Sequence, residues 1–128
     1  MSAIDPNLRV FHITLLDGSS VELRFSWPAL ARVEAWLGGV PWYQWDFLSH
    51  IHLQAAIAGA MLHADQAITP ERLAERLSPA RVTEYRAMID ALLCYATTGK
   101  TLTERLVEAE EKRKSGEAAA ASQTTPTE

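Results

Sequence analysis

The sequence predicts an α+β domain, mainly helical, in which an N-terminal β-hairpin packs on a bundle of four to five helices. Three observations predict it. Residues 10–25 are rich in β-branched and aromatic side chains and are interrupted by Asp17-Gly18-Ser19-Ser20. From Trp27 onward, apolar residues recur at spacings of three and four. Helix-start and helix-stop residues divide that second region at Ser26-Trp27-Pro28, Gly38-Gly39, Thr69-Pro70, Ser78-Pro79 and Gly99. With 128 residues and 48% hydrophobic content, the chain has the length of one domain and enough apolar surface for a core. The expected organisation is a flexible N-terminus at 1–7, a single globular domain at 8–110, and a charged tail at 111–128.

The hairpin follows from Gly18, which takes positive φ without steric cost, and from Val21, Leu23 and Phe25 alternating with Glu22 and Arg24. A lone hairpin is not stable in water, so its apolar face must lie on the helices or pair with a strand of another copy. Ser26-Trp27-Pro28 starts a helix, with Pro in the first turn where its missing N–H is harmless. Leu30, Val33 and Leu37 form its predicted stripe, and Gly38-Gly39 with Pro41 ends it.

A central helix is predicted from about 43–46 to His63, with Leu48, Ile51, Ala55, Ala58 and Leu62 as its core face. Leu53, Ile57 and Met61 lie on its flank, and Ala55 with Gly59 leaves a flat place for close helix approach. Thr69-Pro70-Glu71 starts a short helix carrying Leu73 and Leu77, which Ser78-Pro79 closes. The next helix carries Val82, Tyr85, Ile89, Leu92 and Ala96 as one stripe and stops at Gly99. Thr101 or Thr103 caps a last helix to about Lys114, fraying beyond Ala109, and Ser115–Glu128 has no large apolar side chain and is expected to be disordered.

Charge and composition remove several function classes. A formal net charge of −4 gives no basic face for nucleic acid, and Lys112-Arg113-Lys114 follows acidic residues on a solvated helix surface. Ala55–Leu62, the longest apolar stretch, is far below the ~20 residues that cross a bilayer, so no membrane span is expected. The start Met1-Ser2-Ala3-Ile4-Asp5 has no secretory pattern, and the single Cys94 forms no internal disulfide, so a cytoplasmic protein is expected. Cys94 lies beside Leu93 and Tyr95 with no basic neighbour to lower its pKa, and reads as an inert thiol.

No catalytic residues, metal ligands or cofactor are expected. His12, His50, His52 and His63 contain one close pair, and residues two apart on a helix do not share a face. There is no G-x-S-x-G, Gly-rich phosphate loop or H-E-x-x-H, and most acidic residues stand beside Arg or Lys on helices. The informative feature is aromatic. Phe25, Trp27, Trp36, Trp42, Tyr43, Trp45 and Phe47 are seven of the ten aromatics and fall within 23 residues. These rings either close the seam between the hairpin, the first helix and the central helix or form a recognition surface, since rings of this kind supply much of the energy at interfaces. Both readings hold together if Trp27 and Trp36 face the core and Trp42, Tyr43 and Trp45 face a protein partner.

The segment Leu15-Leu16-Asp17-Gly18-Ser19-Ser20-Val21-Glu22-Leu23-Arg24-Phe25-Ser26, followed by Ala29-Leu30-Ala31-Arg32-Val33-Glu34 and Gly38, carries a resemblance. It resembles the opening of the small tail assembly chaperones of long-tailed bacteriophages, prophages and gene transfer agents, and the similarity of plan spans about residues 8 to 110. The resemblance implies a protein that coats the long tape-measure protein, keeps it soluble until tail-tube subunits polymerise, and is absent from the finished particle. It also implies contact with the tail-tube protein through a longer frameshifted form; separately, a solvent-facing hairpin edge would favour homo-oligomers, as a ring or spiral built by strand pairing. The alternatives are a structural phage or prophage tail protein retained in the particle, a small protein-binding domain of other origin, and a small enzyme.

Overall fold

The computed structural model describes the backbone of residues 9–123 and the side chains of residues 9–115; the expected flexible segment 1–7 lies outside the described residues. The architecture is the predicted one, a hairpin on helices. β1 (Phe11–Thr14) pairs antiparallel with β2 (Ser20–Leu23), with Phe11 opposite Leu23 and Ile13 opposite Val21. The chain turns through Leu16-Asp17-Gly18: Leu15 N–H donates to Ser19 O (2.8 Å), and Gly18 takes φ 89°. Asp17 accepts the Ser19 hydroxyl (2.6 Å) and N–H (2.9 Å), which holds its carboxyl below the usual range.

Both strands are anchored along their outer edges. On β1, the Thr14 carbonyl accepts the Tyr85 hydroxyl (2.7 Å), and just beyond it Leu16 N–H donates to Arg76 O (2.8 Å). On β2, His63 Nε2 donates to the Glu22 carbonyl (2.8 Å), and Arg24 N–H donates to Ala60 O (2.9 Å). These are the outward-facing groups of an antiparallel pair, so the helices occupy positions where a further strand would add.

Five helices follow: α1 (Trp27–Trp36), α2 (His50–Ala60), α3 (Pro70–Ala74), α4 (Val82–Thr98) and α5 (Leu102–Gln123). Four begin with hydroxyl caps. Ser26 accepts from Ala29 N–H, Ser49 from His52 N–H and Thr69 from Arg72 N–H. α4 ends at Gly99 in the left-handed conformation (φ 71°). At α5, Thr101 N–H donates to Glu104 Oε1 (2.8 Å) while Glu104 N–H donates to Thr101 Oγ1 (3.3 Å), a reciprocal capping box. The Thr101 N–H is the main cause that lowers the Glu104 carboxyl pKa.

α2 is the central helix: Leu53 and every residue from Ala55 to Ala60 are buried. Gly59 lies against Val33 of α1, as the small-residue surface predicted. From α4, Tyr85, Ile89 and Leu92 join the core, and from the hairpin Phe11, Ile13, Leu15 and Leu23. Phe25, Leu62 and Val82 are partly buried against that core. In α1, Val33 is fully buried, whereas Leu30 and Leu37 are half-buried.

Two predicted core residues are exposed, while Leu30 and Leu37 lie outside the main core cluster. Leu48 and Ile51 are 74% and 69% exposed. The central helix begins at His50, not near 43–46, because polar side chains upstream redirect the backbone. Asp46 Oδ1 accepts Leu48 N–H (3.0 Å), and Ser49 becomes the cap. Trp42–Gln44 forms a separate 3-10 turn. Leu48 therefore precedes the helix, Ile51 lies in its first turn, and the set read as a flank, Leu53, Ile57 and Met61, is buried. Leu48→Ala and Ile51→Ala are accordingly expected to change stability by no more than about 0.5 kcal/mol in urea titrations. A loss of about 2 kcal/mol or more would return them to the core.

α5 also departs from expectation, continuing to Gln123 where the sequence suggested an end near Lys114. The run from Glu117 to Ala121 contains four alanines, and intrinsic helix preference carries the backbone where no apolar face directs it.

Candidate interaction surface

The first turn of α1 sets up the surface. Ser26 is the cap, so Trp27 and Pro28 are the first helical residues. Ala29 and Val33 are the buried side of this helix, where Gly59 allows close approach. Trp27 lies about 200° around the helix from Ala29, on the outer side with Ala31 and Glu34. It is 85% exposed, which corrects the expectation that it faces the core. Trp36 is partly buried against the core, as expected, and carries the Arg32 guanidinium over its ring at 6.0 Å.

The 3-10 turn at Trp42–Gln44 brings the second group of rings. Trp42 N–H donates to Glu34 Oε1 (3.3 Å), tying the turn back to α1. Trp42 is 37% exposed and Tyr43 69%, with the two rings edge to face at 5.6 Å. Trp27, Leu30, Ala31, Glu34 and Trp42 line a pocket of about 160 Å³. The stripe of Leu30, Val33 and Leu37 puts Trp27 on the core side, and only the burial of Ala29 in the folded protein places it outward.

Trp45 behaves differently from its neighbours. Its indole N–H donates to the Val40 carbonyl (2.8 Å), and its ring lies 6.3 Å from both Phe25 and Phe47. It is half-buried and fastens the loop before α2 to the body, so the structure places Trp42 and Tyr43 together at the surface and separates Trp45 from them.

A second apolar concavity of about 380 Å³ lies between the start of α2 and the α3–α4 connection, lined by Leu53, Leu77, Pro79 and Val82 among others. Exposed Leu48 and Ile51 stand at the same end of α2.

Several titratable groups are engaged locally. His52 Nδ1 accepts the Asp46 N–H (2.9 Å), and His63 is bound to the hairpin through Glu22. Arg86 Nε donates to the Phe47 carbonyl (2.8 Å), and Cys94 is half-buried with Sγ 3.7 Å from the Lys100 carbonyl. Among the described residues, no group of three or more His, Cys, Asp or Glu side chains is placed to hold a metal ion, and no helix is long and apolar enough to cross a membrane.

No family model, curated protein or solved structure matches the chain.

Proposed function

We infer that the protein acts by binding another protein through the surface of Trp27, Trp42 and Tyr43, as a tail assembly chaperone that keeps a tape-measure protein soluble. The observation that carries the binding role is the exposure of three large rings on one side of the molecule. Solvent contact with such rings is unfavourable by about 25 cal/mol per Å² of apolar area, and a partner that covers them recovers this. Tryptophan and tyrosine are also the side chains most often found at the energetic centre of interfaces. The choice of partner rests on the resemblance at residues 15–38. A tape measure is a long helix-rich chain with apolar stripes, and many small copies along it need only modest affinity each.

Co-expression with the tape-measure protein of the same genome, followed by size-exclusion chromatography with light scattering, tests the proposal. The expected result is a soluble complex with several copies per tape measure. Trp42→Ala and Tyr43→Ala are expected to leave the unfolding midpoint nearly unchanged and to weaken the complex by about 2 kcal/mol together. Unfolding of both variants would show that these rings support the fold instead. A tape measure that stays insoluble and never co-elutes would exclude it as the partner and direct attention to purified particles.

A further inference from the structure

The pocket between Trp27 and Trp42 differs from a purely apolar patch because it contains a carboxylate. Glu34 lines it together with Leu30 and Ala31, and its Oε1 accepts the Trp42 N–H. The protein supplies this carboxylate with no cation: among the described residues Glu34 makes no ion pair. The sequence explains why. The residues three and four positions away are Ala31, Leu30, Leu37 and Gly38, so no helical neighbour can reach it with a positive charge. Arg32, also on α1, has its guanidinium over Trp36. Trp42 is paired with Tyr43, and Trp27 has no ring partner among the described residues.

We propose that this pocket takes an arginine side chain of the protein partner, its guanidinium against the indole faces and its N–H groups on Glu34. This rests on the reading that the aromatic surface binds protein, and adds what the surface recognises. An apolar side chain in the same place would strip water from the Glu34 carboxylate and return no hydrogen bond, which is costly. A cation satisfies the carboxylate and is attracted by the negative faces of both indoles. Arginine fits better than lysine because its plane stacks on a ring while its edge donates to a carboxylate, and because it sheds water more readily. A volume of about 160 Å³ suits one side chain rather than a whole helix. The net charge of −4 favours approach of a basic segment.

The test uses the full chain labelled with ¹⁵N, whose four tryptophans each give an indole N–H signal. Trp27→Phe and Trp42→Phe assign two of them. The probes are a capped, helical, alanine-based peptide carrying one arginine, and the same peptide with citrulline, which keeps the shape and removes the charge. The arginine peptide is expected to shift the Trp27 and Trp42 signals selectively, and the citrulline peptide to leave them in place. Glu34→Gln is expected to weaken arginine binding about fivefold, while its amide oxygen still accepts the Trp42 N–H. Equal shifts from both peptides, or an undiminished affinity in Glu34→Gln, would overturn the proposal. A protein that solubilises the tape measure but treats the two peptides alike loses the arginine pocket and keeps its chaperone role. Selective arginine binding without a tape-measure complex retains the pocket and removes that role.

Discussion

Replacing Tyr85 with alanine is expected to destabilise the protein by about 3–5 kcal/mol, close to the whole stability of many small domains. Tyr85 is 2% exposed, on the inner side of α4. Its hydroxyl donates to Thr14 O in the hairpin (2.7 Å) and accepts Ser78 N–H from the α3–α4 connection (3.0 Å). One side chain thus holds three parts of the fold. Alanine removes the ring and leaves a cavity beside the core; phenylalanine keeps the ring and strands the two hydrogen-bonding groups, for a smaller loss of about 1–3 kcal/mol. Urea unfolding separates the contributions, since the midpoint should fall in the order wild type, Tyr85→Phe, Tyr85→Ala with little change in slope. A phenylalanine variant as stable as the wild type would show that water replaces the hydroxyl at both partners.

The second large effect runs against intrinsic preference. Alanine is a better helix former than glycine by about 1 kcal/mol, so Gly59→Ala in α2 should stabilise an isolated helix. In the folded protein it is expected to cost about 2 kcal/mol net, because a Cβ at Gly59 would lie 2.2 Å from Val33 Cγ2 and 3.4 Å from the Ala29 carbonyl oxygen. Val33 is fully buried and has a stiff branched side chain, so α1 and α2 must move apart. The decisive measurement is the double variant. In a Val33→Ala background the clash is gone, and Gly59→Ala should become neutral or stabilising, a reversal of sign. Additive losses in the two single variants would mean that Gly59 matters for some reason other than this contact.

Much of the fold was legible because it rests on local chemistry. Gly18 marks the hairpin turn, Ser26 and Thr69 mark helix starts, Gly99 marks a helix end, and the apolar circumference around Ala55–Ala60 marks the central helix. The misplaced residues lie where two local signals compete. Leu48 and Ile51 continue the apolar stripe of α2, but Asp46 accepts the Leu48 N–H and Ser49 accepts the His52 N–H, so the helix starts only after Ser49. Their pattern was visible, and it outweighs a stripe that needs a helix several residues longer.

The surface was only partly legible for a different reason. Trp42 and Tyr43 sit between two helix signals, which marks them as a loop. Trp27 could be assigned only once the buried side of α1 was known, and that side is chosen by the close contact of Val33 with Gly59 on another helix. Trp45 shares their composition but finds Val40 and two phenylalanine rings, partners that spacing alone does not reveal.

The anchored edges of the hairpin bear on what this protein avoids as well as what it binds. An open strand edge can be extended by other exposed backbone or by sister copies into an insoluble stack. Here Thr14 and Glu22 already spend their outward carbonyls on Tyr85 and His63, and the N–H groups of Leu16 and Arg24 are taken by Arg76 and Ala60. A strand added at these positions would have to displace hydrogen bonds that tie the hairpin to the helices, so templated strand growth is disfavoured there.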